Sequence, residues 1–215
     1  MRALAHPTVR TLYRLALRLQ HFVPARDGVA AVEFAMVLPV MVLMYLGMTE
    51  LTFAVNTDRK ITLLSRTLAD LTGRATSVNT ADMDTIFNAA SSVMAPYSSD
   101  QAKLTVSSIV VKDTGTKDQN GNAILKGTVC WSTARGPGSP VGLAKGSTVT
   151  VPEGFQTADS SYILANVEMP YSPLFGASIL QTITGQNTKT LSEETPWPIR
   201  NVKEVVWQGT TPCLT

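Results

Sequence analysis

Arg26-Asp27-Gly28-Val29-Ala30-Ala31-Val32-Glu33-Phe34-Ala35-Met36-Val37-Leu38-Pro39 opens the stretch that decides the architecture. It runs on as Val40-Met41-Val42-Leu43-Met44-Tyr45-Leu46-Gly47-Met48-Thr49-Glu50. Between Val29 and Val55 the only charged residues are Glu33 and Glu50. As a helix rising 1.5 Å per residue, this segment is about 40 Å long. The hydrocarbon core of a bilayer is about 30 Å thick, so the segment reads as one membrane-spanning helix.

A carboxylate near the start of such a span needs a reason. An ionisable group inside a membrane costs roughly 2.5 to 3.5 kcal/mol near the helix centre and less near the interface, and it is usually kept because it has a partner. A chain cut after Gly28 would give Val29 a free ammonium group, with Glu33 at i+4 on the same helix face. The positive end of the helix dipole also favours a carboxylate in the first turn. The charge pair can close within one chain or between the amine of one subunit and Glu33 of the next, and the second arrangement sets helices in register.

Gly28-Val-Ala-Ala-Val-Glu33-Phe34 resembles the processing site of type IV pilin-like precursors. The longer run, with Ala31, Val32, Ala35 and Pro39 and then Gly47-Met-Thr-Glu50, resembles the TadE/TadG-like minor pilins of tight-adherence (Flp-type) pilus systems. The resemblance implies cleavage between Gly28 and Val29 by a membrane-embedded aspartic prepilin peptidase. Its other implied partners are pilin or pseudopilin subunits and the inner-membrane assembly machinery. It also implies a helix followed by a strand-rich pilin-like head. The head is too large for a major Flp-type pilin, which by resemblance is little more than the helix, hence a minor one.

Charge is unevenly spread. The leader through Gly28 sets five arginines (Arg2, Arg10, Arg14, Arg18, Arg26) against Asp27, a net +4. The remaining residues hold 13 basic against 15 acidic groups, a net −2. Positive flanks stay in the cytoplasm. The N-terminus is therefore expected inside, the span in the inner membrane and the head in the periplasm. The basic leader is a topology signal that can also touch anionic lipid, so no nucleic-acid partner is expected. A secretory signal peptide fits poorly, because the apolar core is too long and Thr52-Phe53-Ala54 supplies only one small residue at its far end. An uncleaved single-pass anchor carrying a periplasmic binding or sensory domain stays open as the alternative.

Within the span, Pro39 removes a helix hydrogen bond and can kink the stem, and Ala35 and Gly47 leave room for a neighbouring helix. Glu50, near the outer interface, reads as a solvated helix-end charge, with pairing to a partner subunit as the alternative. Beyond it, Ile61, Leu64, Leu68 and Leu71 recur at spacings of three and four and form one apolar stripe, with Gly73 as the stop. The expected organisation is a cleaved leader over 1–28, a span over 29–55, a periplasmic continuation of the stem over 56–73 and a head over 80–215.

The head is expected to be α+β with an antiparallel sheet. Thr80 is placed as the cap of a second helix, with Asp82 and Asp84 in its first turn and Met83, Ile86, Phe87, Ala90 and Met94 inside, ending at Pro96. Strands are expected over Leu104–Val111 and Ile124–Thr133, around an Asn120-Gly121 turn signal. Two more are expected over Thr148–Val151 and Ser161–Met169, and a last one over Val202–Trp207. Leu174–Thr184 fits a short helix or a turn and strand. Met169-Pro170-Tyr171, with Pro173-Leu174, resembles the aromatic and proline corner late in TadE-like heads.

Cys130 and Cys213 are the only cysteines. In an exported domain they read as a disulfide tying the last residues to the middle strand. Neither a metal nor a cofactor is expected. Asp82 and Asp84 are two apart on a helix and do not face each other. The loop from Asp113 to Asn122 lacks the ligand spacing of an EF-hand, and Lys145-Gly146-Ser147 inverts the order a phosphate loop needs. Both histidines, His6 and His21, lie in the leader, so the exported part has no imidazole for Ser-His or Cys-His chemistry. Glu193 and Glu194 point apart in a strand. A non-enzymatic subunit is expected.

Overall fold

The computed structural model describes residues 27–117, 119, 121, 123–138 and 140–214. The expectations for the leader, including its arginines, His6 and His21, lie outside the described residues apart from Asp27 and Gly28, as does the Asn120 half of the turn signal. The chain divides after Thr49 into two compact units.

The described part of the first unit is helix. It belongs to α1, Asp27–Gly73, which continues without a break through Pro39. Its most apolar 18-residue window has a mean hydropathy of 2.2, and none of that window is buried. Val29, Phe34, Met36, Leu43 and Tyr45 all expose more than half their surface, so this part of the helix is apolar on every side with its large side chains exposed. In water this would be a large cost; in lipid it is the expected state.

The second unit begins within the same helix and is mixed α+β. Thr57 is the first buried residue of α1, followed by Ile61, Leu64, Ser65, Leu68, Ala69 and Thr72. The stripe runs at spacings of three and four as the sequence predicts, with Thr72 in the fully buried place and Leu71 half-buried beside it. After it come β1 (Ser77–Val78), α2 (Thr80–Ser91), β2 (Lys103–Lys117), β3 (Ala123–Arg135), β4 (Thr148–Val149), β5 (Ser160–Tyr171), α3 (Ala177–Thr184), β6 (Lys189–Pro198) and β7 (Val206–Trp207). Strands β4-β3-β2-β5-β6 form an antiparallel sheet, while β1 and β7 make a separate parallel pair.

The face of the sheet toward α1 and α2 carries the main core. Ile61, Leu64 and Leu68 of α1, with Met83, Phe87 and Ala90 of α2, pack on Leu104, Val106, Val110, Ile163, Ala165 and Val167. A smaller cluster of Ile109, Val111, Val129, Val151, Tyr162 and Leu164 covers the opposite face. Side chains alternate along each strand, so the split into two clusters follows directly from the pleat. Ser65 donates from within the helix to Thr195 Oγ1 at 2.9 Å, fixing α1 on the sheet by a buried polar contact. Lys60 Nζ donates to the carbonyls of Val93 and Ala95 at 2.8 and 3.0 Å, satisfying groups just past the end of α2.

Several boundaries differ from the sequence reading, each for a local reason. The cap of α2 is Asn79, not Thr80: Asn79 Oδ1 accepts from the Asp82 amide at 2.9 Å and Asp82 Oδ2 from the Asn79 amide at 3.1 Å. This reciprocal capping box moves the start one residue earlier. Strand β2 runs to Lys117, with Asp113 opposite Leu125 and Lys117 opposite Ala123, so the first half of the loop expected over Asp113–Asn122 belongs to the strand. Strand β4 is two residues rather than four, because Pro152 opens a short turn. The expected strand over Val202–Trp207 shrinks to Val206–Trp207 and takes its partner from the linker after α1. Strand β6, paired with β5 from Lys189 to Pro198, had no clear alternation to announce it.

Gly73 ends α1, though not by adopting a left-handed conformation. A Cβ there would sit 3.1 Å from the Pro198 carbonyl oxygen and 3.4 Å from the Trp197 ring. Glycine suits the close passage of the end of β6, and just beyond that strand the Arg200 amide donates to the Gly73 carbonyl at 3.1 Å. Gly73→Val is expected to destabilise the second unit by about 1–3 kcal/mol, the range for overpacking a tight site, with Gly73→Ala milder. Denaturant unfolding of the solubilised chain reads the difference.

Candidate functional site

The residues expected to carry processing and assembly all lie on α1. Gly28 and Val29 are in its first turn, and Glu33 and Phe34 follow, all exposed. Among the described residues no hydrogen bond or ion pair engages Glu33. Pro39 is exposed on the same helix, and around Gly47 there is open space where a Cβ would be. The described part of the first unit therefore presents an acid, an aromatic and small residues, all exposed, on an apolar helix.

Glu50 is where the structure departs most from the sequence reading. It is not a solvated helix-end charge. Its carboxylate accepts from Tyr171 Oη at 2.6 Å, from the Leu174 amide at 3.0 Å and from the Phe175 amide at 3.1 Å. Tyr171 ends β5, and Pro173, whose ring restricts φ, lies in the corner that follows. That corner aims two successive backbone N–H groups at one carboxylate, an arrangement that ionised acceptors fill with short, strong bonds. Burial first, and then the bond to Glu50, push the Tyr171 hydroxyl up to about 12. It stays a donor at any physiological pH. The aromatic and proline corner gave a signal for Tyr171; the amides of Leu174 and Phe175 gave none, since any residue has them.

A second carboxylate works in the same way near the end of the chain. Glu204, 6% exposed, accepts from the Cys213 amide at 2.9 Å and from the Leu214 amide at 2.9 Å. Beside it Cys130 and Cys213 form the expected disulfide. Strand β3 reaches it through a bulge: Ser108 faces Trp131 and Ile109 faces Val129, leaving Cys130 as the extra residue. Two consecutive side chains, Cys130 and Trp131, thus enter the same core. Trp131 Nε1 donates to the Val205 carbonyl at 2.6 Å, and its ring meets Trp207 at 5.5 Å. Glu204, Cys130 and Cys213 bring ligand-type atoms together. With both sulfurs in a disulfide, neither is the thiolate that metal binding requires.

The other acids the sequence offered are accounted for locally. Asp82 closes the capping box and Asp84 is exposed beside it. Asp113 accepts from the Gly115 amide at 2.8 Å within its own strand end. Glu193 is half-buried and Glu194 exposed at successive positions of β6. Asp70 is held below its usual range by Arg74, with a further contribution from Arg200. It lies 2.6 Å from the first and 3.3 Å from the second, and accepts from Trp197 Nε1 at 3.2 Å.

Residues 28–70 match the family model described as TadE-like protein. The chain carries a TadE-like segment. It covers about one fifth of the 215 residues, from Gly28 through the buried stripe of α1. No curated protein matches the chain, and no solved structure matches it. The TadE-like segment points to a Tad pilus-associated protein, and its apolar helix is consistent with a membrane anchor.

Glu50→Ala would leave the Tyr171 hydroxyl and the Leu174 and Phe175 amides without their acceptor. It is expected to cost about 1.5–3 kcal/mol, the range for hydrogen bonds to a charged group, and to speed hydrogen exchange at Leu174 and Phe175 ahead of the rest of the unit. Replacing Cys130 and Cys213 together by Ser is expected to lower stability by up to about 4.5 kcal/mol on the chain-entropy account of the closed loop. Denaturation with and without reductant checks this, since reductant should shift the parent chain and leave the variant unmoved.

Proposed function

We propose that the chain is a minor pilin or pseudopilin precursor of a tight-adherence pilus. It is inserted in the inner membrane with its N-terminus cytoplasmic and its head periplasmic, and a prepilin peptidase removes residues 1–28. The new amine on Val29 then pairs with Glu33 of the same or an adjacent stem, and α1 packs against other pilin subunits and the assembly machinery within the bilayer. The protein acts by assembly, not by catalysis, and uses no cofactor.

The observation that supports this reading most is the state of the TadE-like helix. From Gly28 to Tyr45 every residue is exposed, and Glu33 lies among them. An apolar helix of this length that is exposed along its described residues finds its partners in lipid and other helices. An unpartnered carboxylate in that setting is unfavourable until a cation reaches it. The cut after Gly28 supplies one, at i+4 spacing. The inventory of the exported part, which lacks histidine, supports a structural role.

Intact-mass measurement of the protein recovered from its host membrane tests the proposal. The mature chain should have lost residues 1–28; a full-length chain would favour the uncleaved anchor with a periplasmic binding or sensory domain. Glu33→Gln should leave cleavage intact while reducing incorporation into fibres, and normal fibres from that variant would remove the register role assigned to Glu33.

A further inference from the structure

We infer that the segment Tyr171–Thr184 is an interfacial foot, lying in the headgroup region of the outer leaflet and fastened at that depth by Glu50. The inference rests on α1 spanning the membrane.

The depth follows from the helix itself. Val29 and Glu50 are separated by about 32 Å of helix rise, close to the ~30 Å hydrocarbon thickness. With Val29 at the inner boundary, Glu50 reaches the outer one. Its carboxylate takes the Leu174 and Phe175 amides at 3.0 and 3.1 Å, so the backbone of those two residues is held at the same level. Three side chains of this segment are then unusual for an aqueous surface: Leu174 is 68% exposed, Phe175 59% and Ile183 76%. None of them joins either core cluster.

Composition agrees. From Met169 to Thr188 there is no charged residue at all. Within this stretch lies α3, Ala177–Thr184, which exposes Ile183. Uncharged segments that expose apolar side chains lie in the plane of the interface with those side chains among the upper acyl segments. Tyr171, apolar in its ring and polar at its hydroxyl, suits the same level. The exposed apolar surface also continues along α1 through Leu51, Phe53 and Val55. The occupant that covers it without a break is the bilayer, rather than a second copy of this chain.

The test uses the full chain in phosphatidylcholine vesicles brominated near the top of the acyl chain. Phe175→Trp adds an indole in the foot, Tyr45→Trp adds one inside the span, and the parent chain supplies the background of its three native tryptophans. The emission added at position 175 should be largely lost to the brominated lipid and protected from aqueous acrylamide. Adding Glu50→Ala should restore most of it while leaving the position 45 signal unchanged. Quenching at position 45 with position 175 open to acrylamide would overturn the foot and leave the span standing. No lipid quenching at either position would overturn both. Protection at position 175 from lipid and acrylamide alike, lost on dilution into excess lipid, would assign the surface to a second copy and overturn the lipid assignment. Lipid quenching at position 175 that survives Glu50→Ala would overturn Glu50 as the fastening.

Discussion

One helix face buried against one sheet face holds the second unit together. Ile61, Leu64 and Leu68 of α1 meet Val106, Ala165 and Val167 across the β2–β5 pair, and Ser65 threads a hydrogen bond through the same contact. Burial of this kind contributes roughly 1.5–3 kcal/mol per large apolar side chain, so the stripe outweighs any single polar contact in the unit. Because α1 is continuous, a helix that is apolar on every side in its first half is amphipathic in its second. The change comes at Thr57, the first residue of α1 that the protein itself buries.

Two carboxylates then pin down segments that would otherwise be loosely held. Glu50 collects two amides and a hydroxyl from the corner after β5, and Glu204 collects two amides beside the disulfide. In both cases the acceptor is charged and the donors are backbone N–H groups in a non-repeating stretch, where no ladder could satisfy them. The disulfide and Glu204 act together on the C-terminal residues, and the parallel pair β1–β7 closes the same region against the end of α1. Covalent, ionic and ladder contacts thus converge on the last part of the chain, far in sequence from the helix they brace.

This division suits the proposed role of a subunit that assembles through its stem. Among the described residues Glu33 makes no hydrogen bond or ion pair and Gly28 to Tyr45 are exposed, while the second unit satisfies nearly all of its buried polar groups. Among the described residues, the buried side-chain polar atoms left without a partner are the Ser108 and Tyr162 hydroxyls. Burial pushes the Tyr162 hydroxyl up to about 12, with nearby Glu194 adding to it, so it remains a neutral phenol inside the smaller core.

Sequence alone determined the features set by short-range patterns. These are the apolar run that makes α1, the stripe from Ile61 to Leu68, the α2 face of Met83 and Phe87, the long β2–β3 and β5 strands, and the Cys130–Cys213 pair. Periodicity, composition and cysteine count all act within a few residues or by elimination. Tertiary structure alone decided the partners of Glu50 and Glu204, the bulge that turns Cys130 inward, strand β6 and the reason for Gly73. Each depends on a backbone group or a close approach that tertiary folding brings up, from a segment more than a hundred residues away for Glu50 and Gly73, from a neighbouring strand for Cys130 and β6, and from a non-repeating stretch nine or ten residues on for Glu204. Amides and carbonyls are common to every residue, so nothing in the side-chain pattern could announce which of them would arrive.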